Sequence, residues 1–537
     1  MAANKLSFNG FFKDGTRYFS GVDEVLLQNI DAVVDLSELT RTSIGPNGMK
    51  KIIKNHFGKL YVTGDAATIL NEAEIQHPAA KMLVTASQMQ AEQVGDGTNF
   101  VLVFGGELLR RATELVRAGI NTKDIVAGYQ KALAEALRIL PTLDLGNKFN
   151  VEDKASVAAC LKTPLSSHEY LDSEFLANIA AEACLMAYPN HNHRFNVDNV
   201  RYAKALGGSI QDSFVVKGFA IPREVVGTIR RKEDVKIALY TCSFDFAETD
   251  TKMNTVFTSG KQMEQFALSE ENRMEQMVLS IKEKGVNVVV CQSKFTELGI
   301  HYLEKHGIMA VQLPSNWDIK RLARAVKAVP LLRIGAPTED EIGHCKSVEA
   351  REIGSTPIVI FEADGEISTV IIRGATPNLI DDIERSLDDA VNSFRILTEH
   401  PLLVPGAGAS EMELSTQIAK FAESRPGMDQ YGIRKFAEAL EVIPRTIAEN
   451  SGIRISEFMA KIRASHNKGE RASGVDVINM DIGNSIELGA WDIAHVKEWG
   501  MKFACEVACT LLRVDQICMA KKAVGPAPRS MGARDED

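Results

Sequence analysis

A carboxylate flanked by glycines stands in front of a long apolar segment. In GDGTNFVLVFGGELL, Asp96 lies between Gly95 and Gly97, and Thr98 and Asn99 follow. Glycines let a ligand approach the backbone closely, and threonine and asparagine are favoured N-cap residues. The N–H groups and dipole at a helix start favour an anion, and a carboxylate with phosphate oxygens can hold Mg²⁺. The stretch indicates either a magnesium–phosphate site or a turn that only caps a core helix.

Three further glycine turns could approach a phosphate in the same way. They are TSIGPNGMKK at 42–51, VTGDAATIL at 62–70 with Asp65 after a glycine, and LVPGAGASEMELS at 403–415. The last one fails the dinucleotide-binding fingerprint because Glu411 stands where its third glycine should be. The sequence has no G-x-x-x-x-G-K-[ST] motif and no protein-kinase signature. Each turn alone is weak evidence, and each could simply join two elements.

The composition excludes several classes of protein. The 537 residues carry a formal net charge of −10, which argues against a general binder of nucleic acids or membrane surfaces. The start, MAANKLSFNGFFKDG, has no apolar stretch typical of a signal peptide, and no apolar run approaches the roughly 20 residues that span a bilayer. The eight cysteines form no C-x-x-C pair, so we expect buried free thiols in a cytosolic protein.

The two ends of the chain differ from its centre. Residues 20–145 and 405–520 have apolar residues at the three- and four-residue spacing of helices. The centre contains short β-branched runs, KIALYTCSF, VNVVVCQ, IMAVQL and TPIVIFEA, with helical patterns between some of them. This alternation predicts an α/β domain with parallel strands. Periodicity does not decide between three domains in series and one helical domain interrupted by an insertion.

One central segment, residues 247–284, begins polar and then becomes an amphipathic helix. Its apolar face is Met263, Phe266, Ala267, Met274, Met277, Val278 and Ile281. Methionine suits surfaces that bind varied partners, although a helix that faces a core explains the same pattern. The last residues, KKAVGPAPRSMGARDED, are polar and rich in small residues, and we expect a disordered tail.

The order and wording of seven short motifs resemble the group II chaperonins over nearly the whole chain. The motifs are SIGPNGMKK, GDAATIL, HPAAKM, VGDGTN, ERSLDDAV, VPGAGASEMELS and SIELGAWD. The resemblance implies a multidomain α and α/β chaperonin fold with a helical equatorial ATPase domain, a small intermediate hinge domain, and an α/β apical domain with a helical protrusion. The boundaries it implies are equatorial 1–145 and 405–525, intermediate 146–212 and 371–404, apical 213–370 with the protrusion at about 247–284, and a tail at 526–537.

The resemblance also implies a site for ATP and Mg²⁺, with Asp96 as the metal ligand. Asp65 and Asp389 would be catalytic and act on the attacking water. From the sequence alone, a solvated acid is the commoner explanation for Asp389, because it lies off the centre of its helix's apolar stripe. The implied nucleotide-binding residues are Ile44, Gly45, Pro46, Gly97, Thr98, Asn99, Phe100, Ser166, Ser167, His168, Gly406, Ala407 and Asp492.

The resemblance further implies a cytoplasmic chaperone that encloses non-native client proteins. Paralogous subunits would form a hetero-oligomeric double ring of eight-membered rings, and ATP hydrolysis would close a built-in lid made by the protrusion. The client groove would be lined by Trp317, Lys320, Arg321 and Arg324, although a solvated helix face explains these residues equally. Neither nucleic acid nor a membrane is an expected partner.

Several positions depart from the family pattern. Asn99 replaces a threonine, Gly64 and Ala66 flank Asp65, Ala407 interrupts a run of glycines, and His168 stands where relatives carry a lysine that senses the γ-phosphate. A neutral imidazole is a poorer phosphate partner than an ammonium group. The alternative function is therefore a structural ring subunit that binds nucleotide and hydrolyses it slowly. A small-molecule kinase, a third hypothesis, would need a Walker or kinase motif.

Overall fold

The computed structural model describes residues 17–20, 22–146, 149–167, 172–189, 194–245 and 260–519. The helices are α1 (Val22–Arg41), α2 (Ala66–Glu72), α3 (Pro78–Gln93), α4 (Thr98–Arg117), α5 (Thr122–Ile139), α6 (Lys154–Ser166), α7 (Ser173–Ala187), α8 (Gly260–Glu283), α9 (Glu297–Lys305), α10 (Asn316–Val326), α11 (Pro377–Glu399), α12 (Ala409–Glu423), α13 (Asp429–Leu440), α14 (Val442–Asn450), α15 (Ile455–Asn467) and α16 (Ala494–Leu511).

The strands include one large sheet and several two-stranded pairs. Their bounds are β1 (Arg17–Ser20), β2 (Lys51–Lys54), β3 (Leu60–Thr63), β4 (Val200–Leu206), β5 (Phe214–Ile221), β6 (Val225–Val226), β7 (Arg231–Tyr240), β8 (Val288–Cys291), β9 (Met309–Gln312), β10 (Gly343–Ile353), β11 (Thr356–Glu362), β12 (Ser368–Gly374), β13 (Leu403–Pro405), β14 (Ser473–Asp476), β15 (Asp481–Asn484), β16 (Trp491–Ile493) and β17 (Gln516–Met519). The mixture of helical and α/β parts confirms the predicted fold class.

The helices from the two ends of the chain share one hydrophobic core. Helix α4 is apolar on nearly every side, so it needs partners all round it, and it packs against α1, α3, α13 and α16. Phe104 lies at this junction and contacts Phe436 of α13 edge to face, at 5.3 Å between ring centroids. Buried side chains between Leu26 and Leu143 and between Val404 and Leu512 belong to the same cluster. The central α/β part is therefore inserted between two halves of one helical core.

The central sheet has nine strands in the order β4-β12-β5-β11-β10-β7-β8-β9-β6. The prediction of parallel strands is correct for β7, β8 and β9, and β12 is also parallel to β4. It is wrong for β11, the run TPIVIFEA, which is antiparallel to both β10 and β5. The two residues between β10 and β11 form a hairpin turn in which Gly354 has φ +63°. Such a turn reverses the chain, whereas a parallel neighbour needs a long crossover.

Helix α8 covers one face of this sheet with its C-terminal half. Met274, Val278 and Ile281 are fully buried and share a core with Tyr240 and Val289 of the sheet. Of the two interpretations of this apolar face, the core-facing helix is therefore correct for Met274, while Met277 is half-buried. Residues 246–259, and hence the start of the predicted protrusion, lie outside the described part of the chain.

Helix α11 connects the sheet to the helical core. The predicted apolar stripe is buried, and it consists of Ile380, Ile383, Leu387, Val391, Phe394 and Leu397. Phe394 contacts the rings of Phe195 and Tyr188 edge to face. Helix α11 packs along its length against α6, α7 and β12, and these contacts fix its position between the two regions.

The sequence also gave expectations about membrane spans, cysteines, metal ligands and the C-terminal tail. No described helix is both long enough and apolar enough to cross a membrane. Seven cysteines are described as free thiols, and no group of three His, Cys, Asp or Glu side chains among the described residues could hold a metal ion on its own. The predicted disordered tail lies outside the described residues.

Candidate functional site

The loop before α4 adopts the backbone that its glycines permit. Gly95 has φ +85° and Gly97 has φ +81°, a region that other residues rarely adopt. Gly97 is the N-cap of α4 and, as a glycine, has no side chain with which to cap the helix. The loop is braced from inside, because the amide of Gln90 donates to the Asp96 carbonyl oxygen at 2.8 Å. The carboxylate of Asp96 accepts from the backbone N–H of Gly97 at 2.6 Å.

This loop opens into a cavity of about 350 Å³ whose walls come from distant parts of the chain. Among the predicted site residues, those that line it are Ile44, Gly45, Pro46, Asp96, Gly97, Phe100, Ser166, Ser167, Ala407 and Asp492. Apolar side chains, including Ile443, Ile447, Val475 and Ile478, line it as well. The cavity thus combines a polar end with an apolar surface against which a flat heterocycle can pack.

A second helix begins at the same cavity. Gly408, the N-cap of α12, has φ +79° and, like Gly97, no side-chain cap. Its neighbour Ala407 lines the cavity with φ +54°, which is unusual for alanine. Ala407 therefore keeps a left-handed backbone at the position where a glycine is expected. The starts of α4 and α12, each with a glycine as its N-cap, both lie at one cavity, which is a favourable arrangement for an anion.

Asp65, Thr98, Asn99 and Gly406 do not line the cavity. The last three are next in sequence to residues that do, and Asp65 contacts Thr98. The Thr98 hydroxyl donates to the Asp65 carboxylate at 3.2 Å, and the Asn99 amide donates to the Gly64 carbonyl oxygen at 3.3 Å. The carboxylate of Asp65 also caps α2, accepting from the backbone N–H groups of the two residues after Ala66 at 3.0 and 2.9 Å. Asp65 is therefore held rigidly next to the Asp96 loop.

Asp389 also lies outside the cavity wall, on the part of α11 that packs against the Asp96 loop. A Cβ atom on Gly95 would lie 2.3 Å from the Cβ of Asn392, so the loop and the helix are in close contact there. Asn392 follows Asp389 by three residues, on neighbouring positions of one helix face. The guanidinium of Arg395 donates to the Gln93 carbonyl oxygen at 2.8 Å. Asp389 is half-buried rather than fully solvated.

A further ion pair joins α11 to the first glycine turn. The ammonium of Lys50 lies 2.8 Å from the carboxylate of Asp382, whose side chain is only 3% exposed. Lys50 follows directly from the turn that contributes Ile44 to Pro46 to the cavity. Helix α11 therefore contacts both the first turn and the Asp96 loop, on two sides of the cavity.

The sequence analysis missed a buried charge cluster in the cavity wall. Lys497 is 8% exposed, and its ammonium lies 2.7 Å from the Asp492 carboxylate and forms a second ion pair with Glu411. Burial lowers the pKa of Lys497, but the two carboxylates outweigh it and the pKa is raised. Burial raises the pKa of Asp492, aided by Glu411 and opposed by Lys497. The only sequence signal was a lysine within the mainly apolar start of α16.

The described cavity wall carries more negative than positive side chains. The carboxylates are Asp96, Glu411, Asp476 and Asp492, and the ammonium groups are Lys162 and Lys497. A polyphosphate would be repelled by this surplus unless a divalent cation accompanied it. The donor set therefore fits a magnesium-bound phosphate, with the carboxylate of Asp96 beside the start of α4 as the metal ligand. His168 lies outside the described residues.

The four residues predicted to contact clients lie on one outer face of α10. Trp317 is 68% exposed, and the ammonium of Lys320 lies over its ring at 5.1 Å from the centroid. Arg321 pairs with Asp318 at 3.2 Å, and Arg324 is exposed. The opposite face packs against the sheet with Ile319, Leu322 and Val326. The outer face is therefore accessible and mixes one aromatic ring with positive charge.

Comparisons of the sequence with a family model and with curated relatives point to the same family. The family model described as the TCP-1/cpn60 chaperonin family matches residues 36–522. The chain is 45% identical over 535 residues to T-complex protein 1 subunit theta of Gallus gallus and of Homo sapiens, covering 99% of this chain and 97% of each relative. It is 40% identical over 541 residues to the protein of the same name from Caenorhabditis briggsae, covering 100% and 99%. The chain belongs to the TCP-1/cpn60 chaperonin family, and ATP-dependent protein folding is the function that this membership supports.

Proposed function

We propose that this chain hydrolyses Mg·ATP in the cavity and uses the reaction to drive the folding of enclosed client proteins. The observation that carries the proposal is the meeting of two helix starts with glycine N-caps, Gly97 and Gly408, in one cavity whose wall also holds Asp96. Helix N-termini bind phosphates, and the apolar part of the wall suits a base. Membership of the chaperonin family supports nucleotide use independently of this geometry.

The binding roles follow from the position of each residue. Asp96 would hold Mg²⁺, which when bound neutralises phosphate charge and polarises the terminal phosphoryl group. The turn at Ile44, Gly45 and Pro46 and the ring of Phe100 would pack against the nucleotide. Asp492 would accept hydrogen bonds from the ribose hydroxyls. Residues 406–408 and 97–99 would offer backbone N–H groups to the phosphates, and Ser166 and Ser167 would add hydroxyl groups.

The catalytic roles fall to Asp65 and Asp389. Phosphoryl transfer to water depends mainly on positioning and charge neutralisation, so a carboxylate need only orient the water and accept its proton. Asp65 is fixed beside the Asp96 loop by Thr98 and by its capping bonds. Asp389 lies on α11, outside the cavity wall and close to the Asp96 loop. Hydrolysis would therefore depend on a movement of α11, in the manner of enzymes gated by closure.

The alternative is a ring subunit that binds nucleotide but hydrolyses it slowly. The observation that favours it is the engagement of Asp65, whose carboxylate already accepts bonds from α2 and from Thr98. A carboxylate whose oxygens already accept these hydrogen bonds has fewer lone pairs left to orient an attacking water. Ala407 does not favour this alternative, because it retains the backbone conformation that the cavity wall needs.

The assembly is also part of the proposal. The curated relatives are named as subunits of a complex, and we infer that this chain joins paralogous subunits in a hetero-oligomeric double ring in the cytoplasm. Non-native clients would contact the outer face of α10 through Trp317, Lys320, Arg321 and Arg324. That face combines a ring with cations, so it would favour clients with both apolar and acidic surface.

Asp389→Asn tests the catalytic assignment, with Asp388→Asn as a control one residue away on the same helix. In the assembly that contains this subunit, Asp389→Asn should leave Mg·ATP affinity within about twofold and abolish phosphate release from this site. Asp96→Asn should instead weaken Mg·ATP binding by at least tenfold, since a charged ligand is worth about 1.5–3 kcal/mol.

Two results would contradict these roles. An equal loss of binding and hydrolysis in Asp389→Asn would place this residue in the binding site rather than in the chemical step. Unchanged hydrolysis in Asp389→Asn, with Asp96→Asn also active, would favour the slowly hydrolysing alternative and locate the measured activity in other subunits.

A further inference from the structure

The buried cluster around Lys497 joins three elements of the cavity wall. Lys497 lies on α16, Asp492 on β16 and Glu411 in the first turn of α12. The Lys497 ammonium is 2.7 Å from Oδ2 of Asp492 and also contacts Oε1 of Glu411. Glu411 is almost fully buried and is held in turn by the hydroxyl of Ser410 at 3.0 Å. Glu411 therefore holds the ammonium of Lys497 in place, and this ammonium in turn holds the carboxylate of Asp492.

The cluster leaves one face of Asp492 open to the cavity. Within the described part of the chain, Oδ2 pairs with Lys497, while the side chain as a whole stays 27% exposed and lines the cavity. A carboxylate held through one oxygen samples fewer rotamers, so the direction of its other oxygen is restricted. A carboxylate without such an anchor would sample several rotamers and would lose entropy on binding a ligand.

We infer that Lys497 is a positioning residue that aims Asp492 at the ribose hydroxyls and thereby makes the site selective for ribonucleotides. The inference rests on the proposed nucleotide function and extends it to the sugar. Lys497 acts through Asp492 and Glu411 and need not touch the nucleotide. A purely structural lysine would stabilise the wall in the same way for every nucleotide, whereas a positioning lysine changes affinity only for ligands that carry the hydroxyls.

The chain offers a matched control lysine. Lys435 also lies between two carboxylates, at 2.7 Å from both Glu114 and Glu438, with its side chain 21% exposed compared with 10% for Lys497. It does not line the cavity. Replacing Lys435 removes an ion-paired lysine from the helical core without changing the nucleotide site, which separates loss of stability from loss of positioning.

The test compares the affinities of Mg·ADP and Mg·2′,3′-dideoxy-ADP by calorimetry on the full-length chain. The unchanged chain should prefer ADP by about tenfold or more, the usual effect of hydrogen bonds to a charged group. Lys497→Met should bind ADP about as weakly as the dideoxy analogue, while its affinity for the analogue changes by less than about threefold. Asp492→Asn should lose the same preference, and Lys435→Met should keep it.

A second variant covers the case in which Lys497→Met does not fold. Lys497→Gln retains an N–H hydrogen-bond donor but is one atom shorter and carries no charge, and it should also reduce the preference. If either folded variant of Lys497 still prefers ADP by the original factor, the inference is overturned. It is also overturned if the unchanged chain binds both nucleotides equally. If the unchanged chain binds neither nucleotide, the proposed function itself has failed.

Discussion

Replacement of Gly95 by alanine would test whether the contact between the Asp96 loop and α11 controls hydrolysis. Gly95 has φ +85°, and a Cβ atom there would lie 2.3 Å from Cβ and 2.5 Å from Cγ of Asn392. Real carbon atoms do not approach this closely, so the loop or the helix must move apart. Because Asp389 lies one turn from Asn392, such a movement would carry this carboxylate away from the cavity.

The expected loss of stability in Gly95→Ala has two parts, and the variant Gly119→Ala measures one of them alone. Gly119 has φ +84° and open space around the position of a Cβ atom, so Gly119→Ala suffers only the left-handed backbone, at about 1–2 kcal/mol. Gly95→Ala suffers the same strain and also overpacking against Asn392, at about 1–3 kcal/mol. The expected difference between the two variants is therefore about 1–3 kcal/mol, with Gly95→Ala the less stable.

The assays are thermal unfolding, nucleotide affinity and phosphate release by this subunit within its assembly. Gly95→Ala should unfold at a lower temperature than Gly119→Ala and should release phosphate at least tenfold more slowly. Adding Asn392→Gly removes the obstructing Cβ atom, so the double variant should recover part of the hydrolysis despite the lower helix propensity of glycine.

The reasoning is refuted if Gly95→Ala and Gly119→Ala lose the same stability and both hydrolyse ATP normally. In that case the loop would accommodate the methyl group without moving α11. A loss of hydrolysis in Gly95→Ala that Asn392→Gly makes worse would also refute it, because the defect would then not arise from this contact.

Three further predictions concern buried carboxylates of α11 and the packing of α5 against α13. Lys50→Met leaves the buried carboxylate of Asp382 without its 2.8 Å partner and should destabilise the chain by about 1–3 kcal/mol, whereas adding Asp382→Asn should restore part of the loss in thermal unfolding. Burial, with help from Glu384, raises the pKa of Asp388 to about 6, above the value of about 3.9 in the unfolded chain. The protonated carboxyl is therefore compatible with the fold below pH 4, and this contribution to stability is lost as the pH rises through 6. Asp388→Asn should therefore match the unchanged chain near pH 4 and exceed it in melting temperature above pH 6; an equal difference at both pH values would contradict this. Gly128→Ala places a Cβ atom 2.6 Å from the carbonyl oxygen of Asp429 and should lower the melting temperature despite alanine's better helix propensity, and a rise would show that α5 and α13 can separate freely.

Much of the local structure could be predicted from neighbouring residues. The glycine-flanked Asp96 predicted a turn before a buried helix, and the structure has Gly97 as the N-cap of α4. The apolar stripe of α11 was predicted residue by residue. Helix starts and apolar periodicity depend on residues within one or two turns of each other, so a sequence can reveal them without knowledge of the fold.

Features that depend on distant residues were predicted less well. The direction of β11 follows from its hairpin with β10 and not from its own composition, which would suit a parallel strand equally. Methionine is common on surfaces that bind varied partners, but the sheet beneath α8 buries Met274. Lys497 was missed because its partner Glu411 is 86 residues away in sequence, and no local pattern marks such a pair.

The sequence by itself determined the helices, most of the strands, the turns that can approach a phosphate, and, through seven ordered motifs, membership of the chaperonin family. The tertiary structure alone decided which carboxylates share a cavity, that Lys497 anchors Asp492, and that α11 rests on the Asp96 loop. Backbone conformation is set by short-range sterics and hydrogen bonding. Shared burial and charge pairing arise only when segments hundreds of residues apart pack together, and their energies depend on that packing.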